Sequence, residues 1–539
     1  MTRTQGDATL DTRAARKDID LPHLVRNGHA IQFVVEGKPF LALGGELHNS
    51  SASSPRYMGP VWERLGGQNI GSVIGVASWQ LVEPMEGYFD FDAVDDQILQ
   101  ARARGIRLIL IWFGSYKNAD SAYAPTWVRR DENRFPRATR DPDRLVTGRF
   151  AIDGPILSVF NEQLAEADGR AFAQLMRHIR EVDHDQTVIA VQVQNEVGLL
   201  GDSRDRSSLA EDAWSTTVPD ELMMHLCSNR ETLRPWLLEL WQSHGGKETG
   251  TWEEVFGADR AAEEVFMSWG FSRFVEAVAA AGLAEYPLPM YTNAWLGPQP
   301  NADLPGQYPS GGPVARMMDV WKAGAPSLAF LAPDIYLKDI TNTLVDFKDE
   351  HNPIFIPEVR PDAGSLFVAL GSFDAIGFHV FGIEDLEEEH EVYQAYTVVR
   401  GMSDIILAAQ AAGTIRGFKL SSGQQQVLTM GEYEITVSGP IDTRGMFGTG
   451  TGTQAENLVG YGLIVSTGAD EFVVVARGAS VRASMEGSVI ELDHVQEGEF
   501  EDGQWQPGRT LNGDERYFMF PNDSLRTVRM SLIRRQPSS

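Results

Sequence analysis

Two glutamates stand at the ends of short apolar segments, and their positions predict acid–base chemistry. Glu196 ends the run TVIAVQVQNE, and Glu358 ends the run PIFIPE. Runs of this kind are typical of strands that are buried on both faces of a parallel sheet. In parallel α/β barrels the carboxyl ends of the strands carry the chemistry. We therefore interpret the two carboxylates as a candidate catalytic pair.

A single glutamate at a strand end is more often an ion-paired or helix-capping residue than a catalytic one. Here Asn195 directly precedes Glu196, and Glu358 repeats the pattern on a later strand. The paired arrangement favours catalysis over the structural alternative. The chemistry requires one carboxyl that stays protonated near neutral pH and one that is ionised, so we expect burial or the other anion to raise the pKa of Glu196.

Apolar runs alternate with helical patterns over most of the chain, which predicts a (β/α)8 TIM barrel. A hairpin precedes the barrel at residues 30–43, and the helix expected before Glu196 covers Ser158–Asp183. A long polar loop is expected over Gly114–Gly154. The later predicted strands are Asn69–Ser78, Arg107–Phe113, the strand within Thr187–Gly198 that ends at Glu196, Leu288–Trp295, Leu328–Tyr336, Pro353–Glu358 and Ala375–Phe381.

The rest of the chain predicts an insertion and a second domain. Residues 199–285 are mostly helical in pattern and longer than one barrel crossover requires, so we expect a barrel helix plus a helical insertion. From about Phe418 short segments alternate with period two, which predicts an all-β, sandwich-like domain. The expected domains are the barrel over 1–415 and the β-rich domain over 416–539.

Composition limits the classes of partner. The formal net charge of −29 argues against nucleic acid and anionic membranes. The single cysteine excludes an internal disulfide, and no His or carboxylate spacing suggests a metal site. No apolar signal segment or run long enough for a spanning helix is present in the sequence, so we expect a cytoplasmic protein without a cofactor, with a homo-oligomer left open.

Several motifs together resemble glycoside hydrolase family 35, the β-galactosidase family of a large clan of (β/α)8 glycosidases. The C-terminal part resembles the β-domain of one bacterial branch of that family. The motifs are Gly45-Glu46-Leu47-His48, Trp79-Gln80-Leu81-Val82-Glu83-Pro84, Gly87-Tyr88-Phe89-Asp90-Phe91, Gln194-Asn195-Glu196 and Pro357-Glu358.

The resemblance implies roles for individual residues. Glu196 would be the acid/base and Glu358 the nucleophile, and Asn195 would hold the 2-hydroxyl of the sugar. Asn118 and Asp120 match the sugar-binding Asn-Ala-Glu of the family, with aspartate in place of glutamate. Because aspartate is one methylene shorter, we expect a relaxed preference for galactose.

Further candidates for the sugar site lie at other strand ends. Tyr336 is expected to hydrogen-bond Glu358, with Arg360 as a second candidate partner. For His48 a core role is as probable as sugar binding, and for Glu83 structural support is favoured over sugar contact. Trp79 and Trp295 are candidates for stacking on the apolar face of a sugar, although tryptophans in such positions are more often core residues.

The implied function is a retaining, exo-acting glycoside hydrolase that releases a terminal β-linked sugar, β-galactose being favoured, from an oligosaccharide or other β-glycoside. Two alternatives remain. One is a transglycosylase or β-glucosyltransferase on the same scaffold, and the other is a sugar-binding barrel without catalysis. Both glutamates are present, which disfavours the second alternative.

Overall fold

The computed structural model describes residues 20–146, 154–440, 458–501, 503–517 and 519–536. The N-terminal stretch that was interpreted as lacking a signal segment lies mostly outside these residues. The described chain opens with a three-stranded antiparallel sheet of β1 (His23–Asn27), β2 (Ala30–Val35) and β3 (Lys38–Phe40). Phe33 and Val35 of this sheet pack with the first residues of the barrel strands and close the lower end of the barrel.

Eight parallel strands form the barrel predicted from the sequence. They are β4 (Ala42–Glu46), β5 (Ser72–Ser78), β6 (Arg107–Lys117), β7 (Val188–Asn195), β8 (Met290–Trp295), β9 (Phe330–Asp334), β10 (Phe355–Val359) and β11 (Gly377–Phe381). The strands are hydrogen-bonded in chain order, β11 also pairs with β4, and a parallel bridge from Ile335 to Val359 joins β9 to β10. The fold class expected for this part of the chain is confirmed.

Helices connect the strands and surround the barrel. They are, in chain order, α1 (Pro55–Gly66), α2 (Trp79–Val82), α3 (Asp92–Ala103), α4 (Thr126–Arg130), α5 (Glu162–Val182), α6 (Ser208–Trp214), α7 (Asp220–Ser228), α8 (Pro235–Ser243), α9 (Trp252–Phe256), α10 (Arg260–Glu285), α11 (Met318–Gly324), α12 (Thr341–Phe347), α13 (Ala363–Phe373), α14 (Glu391–Gly401) and α15 (Ser403–Ala412). None of the helices in the described residues is long and apolar enough to cross a membrane.

The structure changes two of the expected boundaries. The helix expected from Ser158 begins at Glu162, because the Asn161 side chain accepts a hydrogen bond from the backbone N–H of Gln163 and caps the helix. The loop expected from Gly114 begins later, because β6 continues to Lys117 and its end pairs with Asn195 of β7. Because β6 extends to Lys117, the loop that follows it begins next to the end of β7.

The stretch between β7 and β8 contains the expected insertion. The long helix α10 packs against α5 as a barrel helix, and α6, α7, α8 and α9 precede it. Most tryptophans of this region are buried in the main hydrophobic core, namely Trp214, Trp241, Trp252 and Trp269.

Two antiparallel sheets follow the barrel and confirm the expected all-β architecture. One has the order β12-β15-β16-β20-β18-β19 and the other the order β13-β14-β17. Their strands are β12 (Ile415–Ser421), β13 (Gln425–Met430), β14 (Tyr433–Ser438), β15 (Val459–Ser466), β16 (Glu471–Arg477), β17 (Ser480–Ser484), β18 (Val489–Glu501), β19 (Gln504–Thr510) and β20 (Arg526–Arg535). The two sheets share a hydrophobic core that is separate from that of the barrel, and β12 packs on α13.

Candidate active site

The barrel brings Glu196 and Glu358 together at the carboxyl ends of its strands. Glu196 directly follows β7, and Glu358 is the penultimate residue of β10. Both residues are buried, with 6% and 5% of their surface exposed. Carboxylate oxygens of Glu196, Glu358 and Asp334 all lie within 4.8 Å of one another. This spacing is close to the ~5–5.5 Å between the two carboxyls of enzymes that cleave glycosides with retention.

Glu358 accepts hydrogen bonds from three side chains. The Tyr336 hydroxyl donates to Oε2 at 2.6 Å, and the amide groups of Asn195 and Asn293 approach Oε1 at 3.4 Å. Burial and the adjacent Glu358 anion raise the pKa of Tyr336, so the phenol remains a donor. Arg360, the second candidate partner, is exposed and lines a cavity between the barrel and the C-terminal sheets. The donors around Glu358 suit a carboxylate that acts as a nucleophile.

Glu196 has a different environment. Burial, followed by the negative charge of Glu358, raises its pKa to about 8, although Lys117 acts in the opposite direction. A carboxyl with this pKa holds a proton at neutral pH and can donate it. Glu196 therefore has the raised pKa that a proton donor needs, whereas Glu358 has the hydrogen-bond donors that suit a nucleophilic carboxylate.

The backbone at the end of β7 is held in an uncommon conformation. Gln194 and Glu196 have φ angles of 63° and 44°, in the left-handed region that residues with a Cβ seldom adopt. The N–H of Glu196 donates to the Asn293 side chain at 2.8 Å, and this bond helps to hold the turn. Uncommon backbone geometry of this kind is often found at active sites.

The loop after β6 is attached to the same turn. The N–H groups of Asn118 and Ala119 donate to the carbonyl oxygens of Asn195 and Glu196, at 3.1 and 3.2 Å. The Lys117 amine donates to the Asn118 side chain. The Asp120 Oδ1 atom is buried and has no hydrogen-bond partner among the described residues. Asp120 therefore follows directly after two residues whose backbones are bonded to the turn that carries Glu196.

Trp79 and Glu83 are hydrogen-bonded to each other beneath the mouth of the barrel. Both residues are fully buried. The indole N–H of Trp79 donates to Glu83 Oε2 at 2.8 Å, and the Gly87 N–H donates to Oε1 at 2.7 Å. Trp127 packs edge-on against Trp79. These bonds satisfy the polar atoms of both residues and agree with the structural support favoured for Glu83, and contact between either residue and a sugar stays a prediction.

His48 and Trp295 lie at the ends of strands on either side of the site. The His48 ring bonds Asp385 at 2.7 Å and meets Phe381 edge-on, and Phe381 in turn contacts the Tyr336 ring. Trp295 is the last residue of β8 and is partly exposed. Contact between either residue and a sugar stays a prediction.

Sequence reasoning missed three side chains of the site. Asp334 ends β9, two residues before Tyr336, and accepts a hydrogen bond from the Asn293 amide at 2.7 Å. Glu46 ends β4, is fully buried, and has no hydrogen-bond partner for either carboxylate oxygen among the described residues. Polar residues late in apolar strands were the available signal, since Asp334 and Glu46 end their strands and Asn293 lies two residues before the end of β8.

Glu196, Asp334 and Glu358 are also close enough to hold a cation between them. The groups around these three carboxyls favour protonated carboxyls over a bound metal ion. Glu358 already accepts bonds from a phenol and two amides, which occupy lone pairs that a metal would need. Burial raises the pKa of Glu196 and of Asp334, which favours their protonated forms.

Two family models match the chain. Residues 67–277 match a model of glycoside hydrolase family 42 described as "Beta-galactosidase", and residues 392–522 match a domain of unknown function, DUF5597. The first match contains Glu196 and ends before Glu358.

Known proteins are similar over parts of their length. A β-galactosidase of Xanthomonas manihotis is 29% identical over 177 residues, which are 32% of this chain and 26% of that protein. The chain thus spans about a quarter of this curated relative.

Among solved structures, the β-galactosidase of Rahnella sp. R3 has 17% identity and a TM-score of 0.43, with 69% of this chain and 56% of the other covered. The β-mannanase of Mytilus edulis has 12% identity and a TM-score of 0.41, with 71% and 97% covered.

The family expected from the motifs is therefore corrected. The matching model is that of family 42, which does not support the resemblance to family 35 inferred from the sequence. Over residues 67–277 the chain is similar to the β-galactosidase model of family 42.

Proposed function

We propose that the protein is a retaining, exo-acting glycoside hydrolase that releases terminal β-galactose from an oligosaccharide or other β-glycoside. The observation that carries the proposal is the pair of buried glutamates within 4.8 Å, one with a pKa of about 8 and the other bonded by a phenol and two amides. The choice of galactose is supported by the β-galactosidase descriptions of the matching family and of the relative.

The reaction proceeds in two displacements. In the first, a Glu358 oxygen attacks the anomeric carbon, while the bond to the leaving oxygen breaks and Glu196 gives that oxygen its proton. In the second, Glu196 is a carboxylate and takes a proton from water, whose oxygen attacks the anomeric carbon and releases Glu358. The pKa of Glu196 suits both steps, because a carboxyl with a pKa of about 8 can both donate and accept a proton near neutral pH.

A screen of aryl β-glycosides tests the proposal. The galactoside, glucoside, fucoside and arabinoside are compared, and we expect the galactoside to have the highest kcat/KM. Analysis of the products with and without an added sugar acceptor separates hydrolysis from transfer. Absence of activity on every aryl glycoside would contradict the proposal and favour a sugar-binding barrel.

A chemical rescue experiment tests the role of Glu358. Glu358→Gly should lack turnover, and azide should restore it and yield an α-glycosyl azide, because the small anion occupies the space of the lost carboxylate. Glu358→Gln should not be rescued, since the amide fills that space. The matched control is Glu86→Gln, an exposed glutamate that pairs with Arg134 and should retain activity. If azide fails with the glycine variant, Glu358 is not the nucleophile.

A further inference from the structure

The carboxyl of Asp334 lies beside the carboxyls of Glu196 and Glu358. It is the last residue of β9 and only 3% of it is exposed. The Asn293 amide donates to Asp334 Oδ2 at 2.7 Å, and the Asn293 Oδ1 atom accepts the N–H of Glu196 at 2.8 Å. One asparagine thus connects Asp334 to the residue after β7. Asp334 and Glu196 are held by the same side chain.

The other carboxyl oxygen of Asp334 has no ordinary donor. Asp334 Oδ1 is buried and receives no N–H or O–H group among the described residues. An oxygen of the Asp334 carboxyl and an oxygen of the Glu196 carboxyl lie within 4.8 Å of each other. Two carboxylates this close repel one another, and a proton held by one of them removes the repulsion. The arrangement therefore favours protonation of at least one of the two groups.

The charges around the pair determine which protons are held. The titratable and charged groups that face the pair are Glu46 in β4, Lys117 in β6, Tyr291 in β8, Tyr336 after β9 and Glu358 in β10. Lys117 is the cation of this set, so it can offset a single negative charge among these carboxyls. Burial, followed by the charge of Glu358, raises the pKa of Asp334 and of Glu46 well above their usual range.

We propose that Asp334 is a positioning residue that keeps its own proton through the reaction and donates it as a hydrogen bond to Glu196. The inference rests on the proposed hydrolase function. When Glu196 gives its proton to the leaving oxygen, the Asp334 O–H stabilises the carboxylate that forms. When Glu196 then takes a proton from water, the same bond is retained, so Asp334 neither gains nor loses a proton.

The amide variant Asp334→Asn separates a protonated aspartate from an ionised one. Asparagine keeps a donor for Glu196 and an acceptor for Asn293, and it carries no charge. If Asp334 is protonated, the alkaline limb of kcat/KM against pH should stay within about 0.3 pH units of the wild type. If Asp334 is ionised, the variant loses a negative charge beside Glu196 and the limb should move down by about one unit, which would overturn the proposal.

The alanine variant tests the donor itself. Asp334→Ala removes the hydrogen bond to the Glu196 carboxylate, so the alkaline limb should move up by about one unit. On an aryl galactoside with an activated phenol, where the second displacement limits the rate, kcat should fall about tenfold or more. A limb that does not move would overturn the proposal. Circular dichroism checks folding, and the asparagine comparison decides the question if the alanine variant does not fold.

The two proposals fail in different ways. A wild-type protein without activity on any aryl glycoside would refute the hydrolase function. The role of Asp334 alone would be refuted if the wild-type protein is active with an alkaline limb that depends on Glu196, and one of two results is then found. These results are a downward shift of the limb in Asp334→Asn and an unmoved limb in Asp334→Ala.

Discussion

Glu196 and Glu358 have the same side chain, and their neighbours give them different properties. Glu358 accepts bonds from Tyr336, Asn195 and Asn293, whereas Glu196 is buried against two other carboxyls. Donors stabilise the charged form of a carboxyl, and burial beside like charges stabilises the neutral form. The division of roles in the proposed reaction follows from these surroundings.

The pH dependence of activity should report the Glu196 proton. The first displacement requires protonated Glu196, which predominates below its pKa of about 8. We expect kcat/KM to be lost as the pH rises through about 8, and we expect Glu196→Gln, which cannot titrate, to abolish this alkaline limb in its residual activity. The control Glu86→Gln should keep the limb. A limb that persists in Glu196→Gln would assign it to another group.

Sugar choice should depend on Asp120. Its Oδ1 atom is buried and has no hydrogen-bond partner among the residues that the structure describes, so it can accept a bond from a sugar hydroxyl. A site that depends on one such bond rejects the analogue that lacks it more strongly than shape alone, which discriminates by ~1–3 kcal/mol. Asp120→Glu should raise the ratio of kcat/KM for aryl β-galactoside over β-glucoside. An unchanged ratio, or full activity of Asp120→Ala, would show that the loop lies outside the sugar site.

At the scale of single elements, the short helix α2 and the turn after it form a support for the site. Trp79 and Gly87 donate to opposite oxygens of Glu83, and the Trp127 indole donates to the Glu83 carbonyl at 3.1 Å. Arg170 lies 3.6 Å from the same carboxylate. This network connects the ends of β5 and β6 without offering a polar atom to the mouth of the barrel.

Glu83→Ala should reduce stability more than it changes substrate binding. The variant leaves the indole N–H of Trp79 buried without an acceptor, at a cost of about 1–3 kcal/mol, and it also removes the bond from the N–H of the exposed Gly87. We expect a lower Tm with a KM for aryl galactoside within about twofold of the wild type. The neighbouring control Glu86→Ala alters an exposed ion pair and should change stability by less than about 0.5 kcal/mol. A large rise in KM without a change in Tm would instead indicate sugar contact by Glu83.

At the scale of the whole molecule, α13 joins the barrel to the C-terminal sheets. It follows β10, which carries Glu358, and packs against β12 and β15. The contact is close because both sides have glycine: a Cβ on Gly371 would lie 2.4 Å from the Gly417 nitrogen, and one on Gly417 would lie 2.1 Å from the Phe367 oxygen. The division into domains at residues 415 and 416 stays a prediction.

Two helical glycines provide a matched test of this interface. Gly371→Ala gains helix propensity but places a methyl group against backbone, so we expect a net loss of about 1–3 kcal/mol. Gly59 lies in α1, and a Cβ there meets nothing within 4 Å. Because Pro60 follows and its ring crowds the Cβ of a helical residue before it, Gly59→Ala should gain less than the usual ~0.5–1 kcal/mol and should keep a Tm close to that of the wild type. Thermal unfolding compares the two variants, and a Tm for Gly371→Ala at or above that of the wild type would contradict the close packing.

Much of the architecture could be predicted from sequence patterns. Continuous apolar runs such as Val188–Val193 predict buried parallel strands, because both faces of such a strand carry apolar side chains that are stable only away from water. The positions of Glu196 and Glu358 at the ends of such runs predicted that they would meet at one end of the barrel. Period-two alternation likewise predicted the C-terminal sheets. These features depend on the order of apolar and polar residues, which is visible in the sequence itself.

Other features depend on contacts between distant residues. The membership of Asp334 and Asn293 in the site, the mutual burial of Trp79 and Glu83, and the attachment of the Asn118 loop to β7 all arise from barrel closure. Burial and the neighbouring carboxyls, which raise the pKa of Glu196, come from separate strands. By itself the sequence determined which segments form strands and which polar residues lie close to their ends. The tertiary structure decided which of those residues exchange hydrogen bonds and protons, because these interactions depend on distances of a few ångströms between chain segments far apart in sequence.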